Sequence, residues 1–174
     1  IIARTKEDWL NLKITASTLG QAVAPDVCYL ALRGIRTLSI RLEEHQNNAI
    51  KIAKWLNDRP EVETILHPAF SSCPGHQVWK RDFTGSSGLF SIILKDFPDE
   101  QVNKMLDGMD YFAMGFSWGG FESLIVPCDP SKIRSVTKWN SAGPLLRIHV
   151  GQEDVQDLID DLERGLKRLS GKSL

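Results

Sequence analysis

Leu145-Leu146-Arg147-Ile148-His149-Val150, entered through Gly143-Pro144 and left through Gly151-Gln152-Glu153-Asp154, is the stretch on which the fold turns. Alternation puts Leu146, Ile148 and Val150 on one face and Leu145, Arg147 and His149 on the other, the period of a strand with one buried side. Just past the turn, Val155, Leu158, Ile159, Leu162, Leu166 and Leu169 recur at helical spacing. Glu153, Asp154 and Asp157 suit the positive end of that helix, Lys167 and Arg168 suit its negative end, and Gly171 follows as a cap. Arg164 falls on its solvent side. A strand that hands over to an amphipathic helix through one turn predicts a helix lying on a sheet.

Working outward, residues 7–24 read as a helix that Pro25 ends. Asp26 is a suitable N-cap for a second helix running to Asn57. At ~1.5 Å per residue that helix is nearly 50 Å long, enough to bridge two domains. Val62–Leu66 reads as a strand closed by Pro68, residues 69–86 as a loop, and Gly88–Leu94 as a more buried strand. A helix starts at Pro98, with Asp99 and Glu100 in its first turn. The order helix, helix, strand, strand, helix, strand, strand, helix predicts an α/β fold of the α+β sandwich kind, a mixed or antiparallel sheet covered by helices. The change of texture after Arg59-Pro60 divides the chain into 1–57, an end piece with a long linking helix, and 58–174, a small domain.

Composition narrows the function. Of 174 residues, 42% are apolar and 25% charged, with a net charge of -1. A core can form, and no field favours a polyanion, which argues against nucleic acid as a partner. No apolar run approaches the roughly 20 residues that span a bilayer. The opening Ile1-Ile2-Ala3-Arg4-Thr5-Lys6 brings charge too early for a signal peptide, and the missing initiator methionine suggests a processed or shortened chain. Cys28, Cys73 and Cys128 form no CxxC pair, so the spacing predicts neither disulfides nor zinc and suits a reducing cytoplasm. His45, His67, His76 and His149 show no metal-ligand spacing.

Two stretches offer binding chemistry. Arg147 stands on the polar face of its strand beside a tight turn, and a planar guanidinium matches a carboxylate's two oxygens. Ser117-Trp118-Gly119-Gly120 sets a hydroxyl and an indole N–H on a glycine-paired loop. Plainer readings stand beside these: Arg147 in water on a half-buried strand, and Trp118 as a packing anchor on an ordinary turn. Thr84-Gly85-Ser86-Ser87-Gly88 reads as a turn before a strand, since it lacks a Walker lysine and no helix follows.

Three segments resemble a known family. Tyr29-Leu30-Ala31-Leu32-Arg33-Gly34-Ile35-Arg36-Thr37-Leu38 is similar to the Y-L-x-x-R-G-L-R-T-L helix of the Cys/Met-metabolism enzymes that use pyridoxal 5'-phosphate. Ser117-Trp118-Gly119-Gly120-Phe121-Glu122-Ser123-Leu124 resembles their S-x-G-G-x-E-S-L loop. Leu146-Arg147-Ile148-His149-Val150-Gly151-Gln152-Glu153-Asp154 resembles their L-R-x-x-x-G-x-E-D turn. The segments follow in the family's order and cover nearly the whole chain. The resemblance implies the small C-terminal domain of the aspartate-aminotransferase-like, fold type I enzymes. It makes Arg147 the binder of the substrate α-carboxylate, with Ser117 and Trp118 beside it.

Trp118, and the run from Trp79 to Ser91, are nearest the family's carbon–sulfur β-lyases. These cleave cystathionine to homocysteine, pyruvate and ammonia in methionine biosynthesis. A cytoplasmic homo-oligomer, a tetramer, is implied as well. The family's cofactor lysine lies in an S-x-T-K motif, and Ala3-Arg4-Thr5-Lys6 has Ala3 where the serine belongs. The expectation is therefore a C-terminal fragment, inactive alone, with no catalytic or cofactor-binding residue of its own. Alternatives are another family member (a γ-synthase, γ-lyase or cysteine desulfhydrase) or a non-catalytic assembly module.

Overall fold

A computed structural model of the chain describes residues 2–141 and 143–172. The outer limits of the division drawn from sequence, Ile1 and Leu174, lie outside the described residues. The chain forms two compact units, Ile1–Ser39 and Ile40–Leu174.

In the first unit, α1 spans Lys6–Thr18 and α2 spans Pro25–Arg36. Thr5 caps α1 by accepting the Asp8 N–H at 3.1 Å. Pro25 does more than end α1. It occupies the first turn of α2, where a missing N–H costs nothing, so the N-cap is Ala24 rather than Asp26. No side chain of α1 or α2 is buried; Trp9, Leu10, Ile14, Tyr29, Leu30 and Ile35 stand exposed.

The single long helix expected from Asp26 to Asn57 is two helices. Thr37 (φ -111°, ψ 9°) leaves helical geometry and α3 runs Leu38–Asn57. The Thr37 N–H and Oγ1–H both turn back to the Gly34 carbonyl, at 3.3 and 3.4 Å. A threonine that competes for the backbone, after a low-propensity glycine, closes α2 there.

The second unit is built on four strands: β1 Val62–Leu66, β2 Leu89–Leu94, β3 Leu124–Cys128 and β4 Leu145–His149. Their order is β1-β2-β4-β3 and every pair is antiparallel. β3 carries Pro127, which sits without penalty on an edge strand that needs no N–H on its open side. The other helices are α4 His76–Asp82, α5 Asp99–Asp107 and α6 Val155–Leu169. α4 falls inside the stretch read as loop. One short helix carries too little periodicity to be seen. It starts from Gly75 at φ 85° and is anchored by the Trp79 Nε1–H donating to the Gly85 carbonyl at 3.1 Å.

One face of the sheet is core. Phe90, Ile92, Leu146, Ile148 and Ile125 pack with Ala49, Ile52 and Leu56 of α3, Val102 and Met105 of α5, and Leu158, Leu162 and Leu166 of α6. Each such leucine or isoleucine contributes about 1.5–3 kcal/mol. This packing draws α3 into the second unit, so the compact body begins at Ile40, ahead of the textural change near residue 58. The opposite face carries a row Leu66–Ser91–Arg147–Val126 across all four strands.

His67 follows β1 and is fully buried, its ring 5.5 Å from that of Phe70 and 5.4 Å from that of Phe90. Its Nδ1 accepts the Ala69 N–H, and its Nε2 is buried without a partner. Burial pushes the imidazole down to about 4. The folded value lies below the unfolded one, so the unfolded chain binds the proton first as pH falls. Stability is fully present above about pH 6.5 and is lost progressively down to the folded value. Between pH 7 and 5 this should cost unit 2 about 2 kcal/mol, read from urea unfolding. His67→Phe should remove that part of the slope; an unchanged slope would refute the assignment.

Candidate functional site: a carboxylate clamp on the open face of the sheet

The polypeptide leaving α5 is fixed before it reaches the site. Asp161 of α6, fully buried, accepts the backbone N–H groups of Asp110, Tyr111 and Phe112 at 3.0, 2.8 and 3.2 Å. Ala113 then bridges the start of β3: its N–H donates to the Ser123 carbonyl at 3.1 Å, and the Ile125 N–H returns to Ala113 at 3.0 Å. Residues 114–123 therefore form a loop closed at its neck. This is the loop of Ser117 and Trp118.

A buried knot ties the neck to the turn after β4. Ser123 is fully buried; its Oγ–H donates to Glu153 Oε2 at 2.8 Å and its N–H to Oε1 at 2.7 Å. The same Oγ accepts the Gly151 N–H at 2.8 Å, and the Gln152 N–H donates to the Phe121 carbonyl at 2.8 Å. A Cβ at Gly151 would collide with that Phe121 carbonyl, so only glycine fits. Glu153, expected to open the last helix, is instead turned onto Ser123. Asp154 is the N-cap, accepting the Gln156 N–H at 2.8 Å.

Arg147 is half-buried on the open face. Its Nη2 donates to the carbonyls of Gly115 at 3.1 Å and Ser117 at 3.2 Å, and the guanidinium lies 5.9 Å from the centroid of the Phe116 ring. Among the described residues no partner takes the Nε and Nη1 hydrogens. One side of the fork holds the loop and the other stays available, an arrangement that can receive a carboxylate. Sequence reasoning placed Arg147, Ser117 and Trp118 together. Here Arg147 meets Ser117 through the Ser117 carbonyl, and Trp118 follows at 63% exposure, so it anchors no packing in this unit.

Three residues that spacing did not single out complete the arrangement: His149, Ser123 and Glu153. The clue available was the polar alternation Arg147, His149 on one strand face. His149 is buried, its Nε2–H donates to the Gly120 carbonyl at 3.0 Å, and burial holds its imidazole below the ordinary value.

Other candidates offer less. The loop before β2 gives its Ser86 N–H to Gln46 Oε1 at 2.6 Å, so its donors serve the fold. A cavity of about 560 Å³ beside β1 and β2 is lined by Thr64, Leu66, Ile93, Lys95 and Trp139, and Arg147 does not border it. Among the described residues no cluster of His, Cys, Asp and Glu could hold a metal ion, and no helix is long and apolar enough to cross a membrane.

The helix-backed antiparallel sheet is of the kind found in the fold type I enzymes. The chain belongs to the family of Cys/Met metabolism PLP-dependent enzymes, whose model matches residues 1–167. It is 48% identical to a cystathionine beta-lyase of Haemophilus influenzae, over 93% of this chain and 42% of that protein. It is 44% identical to an L-alanine/L-glutamate racemase of Wolbachia pipientis, over 86% of this chain and 38% of that protein. A crystal structure of cystathionine gamma synthase from Xanthomonas oryzae in complex with cystathionine matches 99% of this chain and 46% of that one, at 33% identity and a TM-score of 0.80. The chain thus spans under half the length of these relatives.

The family's cofactor is pyridoxal phosphate. Holding it takes an amine for the aldehyde and a set of donors for the phosphate. Every lysine among the described residues is exposed or half-exposed, and the clamp's one cation already carries two backbone carbonyls. The described residues do not make a cradle for the group by themselves.

Proposed function

We propose that this chain supplies the substrate-carboxylate half of the active site of a carbon–sulfur β-lyase acting on cystathionine. Residues 1–57 would then be the end of a large domain with its linking helix, and 58–174 the small domain. The residues that hold the cofactor, including its lysine, lie outside this chain, which alone is inactive. The observation that carries the reading is Arg147: one side of its guanidinium braces the Ser117 loop, and the Nε and Nη1 hydrogens have no partner among the described residues. With these it orients the α-carboxylate of an amino acid, with Ser117 and Trp118 flanking it. Similarity to named β-lyases supports the choice of reaction; a cytoplasmic homotetramer is proposed with it.

A second reading has its own support. A relative of 44% identity is named as a racemase of alanine and glutamate. The same clamp suits any α-amino acid, because it recognises the carboxylate and not the side chain. The test uses the full-length protein carrying this chain, loaded with pyridoxal phosphate. Cystathionine should yield pyruvate, ammonia and a thiol. Cysteine with 2-oxobutyrate would indicate γ-elimination, and inversion of alanine without thiol release would indicate the racemase; either overturns the β-lyase reading.

A further inference from the structure

His149 stands two residues beyond Arg147 on the same face of β4, 2% exposed, and the clamp as described above leaves it without a role. A buried imidazole is a costly choice where an apolar side chain would pack, unless its nitrogens are used. Both are. Nε2–H donates to the Gly120 carbonyl at 3.0 Å, which leaves Nδ1 with the ring's one in-plane lone pair, and the Gly119 N–H rests against both ring nitrogens, 3.2 Å from Nε2 and 3.4 Å from Nδ1. Two successive residues of the loop therefore meet one ring. Arg147 holds the carbonyls of Gly115 and Ser117 on the other side of Trp118.

The ring itself is fixed from behind. His45 of α3 lies 5.2 Å away, centroid to centroid, and its Nδ1–H donates to the Val150 carbonyl at 2.7 Å. A Cβ at Gly88 would collide with the Val150 carbonyl and lie 3.2 Å from the imidazole, so the ring packs closely against that backbone.

We propose that His149 is a positioning residue, whose neutral imidazole pins Gly119 and Gly120 to β4 and so holds Ser117 and Trp118 beside Arg147 in the form that receives a substrate carboxylate. This rests on the reading of Arg147 as a carboxylate clamp. A consequence follows for pH. Protonation would take the ring's last lone pair, so that the Gly119 N–H, lying against both nitrogens, would face two donors and that half of the loop would be released. The groups that face the ring are His45 from α3, Glu153 from the turn after β4, and Arg147 on β4 itself. His45 and Arg147 oppose the second proton and Glu153 favours it, while burial, the largest influence, keeps the ring neutral at neutral pH.

The experiment reads hydrogen exchange in the full-length protein, on peptides covering residues 115–123, with α6 peptides reporting that the domain stays folded. His149→Ala should speed exchange in the loop roughly tenfold and leave α6 unchanged, as expected when hydrogen bonds of ordinary strength are lost. His149→Gln, whose amide can still donate to Gly120, should restore protection and abolish the loosening that the unmodified protein shows on acidification. KM for the amino-acid substrate should rise with His149→Ala more than kcat falls. Unchanged loop exchange in His149→Ala, with α6 intact, overturns the proposal. So does a loosened loop with unchanged KM when Arg147→Lys still raises KM. If neither variant moves KM although the loop loosens, the clamp reading itself fails and the pinning by His149 stands alone.

Discussion

Asp161→Ala is expected to destabilise the second unit by about 3–5 kcal/mol, because it removes one buried acceptor from three backbone donors at once. The carboxylate is fully buried and accepts three consecutive backbone N–H groups, those of Asp110, Tyr111 and Phe112. Removing it takes the acceptor from all three, that of Phe112 being buried, and strips Arg164 of one of its carboxylates, 3.3 Å away. Phe112, itself in the core, loses the anchor that seats it. Asp161→Asn should cost less, since one oxygen can still accept while the amide meets the remaining N–H groups as a donor. Asp160→Ala is the control: that side chain is exposed and bonds Gln156 at the surface, so its loss should change stability by no more than about 0.5 kcal/mol. Urea unfolding of the three variants decides it. If Asp161→Ala behaves like Asp160→Ala, the carboxylate is not what fixes the segment leading into the Ser117 loop.

That anchor was not legible in the sequence, and the reason is general. Periodicity reports which face of an element is apolar. It placed β1, β2, β4, α5 and α6 because their patterns are local and complete within a few residues. Asp161 reads locally as one more acid on a charged helix. Its partners lie about fifty positions upstream, and no spacing rule links residues that far apart. Glu153 was misjudged for the same reason. Glu153, Asp154 and Asp157 all suit a helix start, but only the fold shows that Asp154 takes the cap and Glu153 turns to Ser123.

The break at Thr37 failed differently. Apolar positions continue in phase across it, so the pattern ran on where local hydrogen bonding did not. The motifs fared better as chemistry than as geometry. Glycine at 151, serine at 123 and glutamate at 153 are the pieces that join the loop to the strand turn, a division of labour visible only when both segments are side by side.

Arg147→Lys in the full-length protein is expected to lower kcat/KM ten- to a hundredfold, from the loss of about 1.5–3 kcal/mol of charge-assisted hydrogen bonding. On the proposed reading the guanidinium has two duties. Nη2 spans the Gly115 and Ser117 carbonyls, and the rest of the planar fork is left for the substrate. An ammonium is a point charge on a shorter reach and cannot serve both in fixed directions. It would either keep the loop and lose the carboxylate, or bind the carboxylate and let the loop go. Misalignment of the substrate adds to the loss. Trp118→Phe should cost less, since an exposed ring is kept and only the indole N–H is removed.

The control for Arg147→Lys needs care. Arg164, which helical spacing puts on the solvent side, bonds Asp110 at 2.9 Å and Asp161 at 3.3 Å, so its replacement would disturb the anchor described above. Arg81 is the better choice: it is exposed on α4 and, among the described residues, pairs only with its neighbour Asp82. Retained pyridoxal phosphate should be the same in all three variants, because the described residues hold no cradle for it. A drop in cofactor content with Arg147→Lys would move the arginine from the substrate to the cofactor. Kinetics like those of Arg81→Lys would remove it from the site altogether.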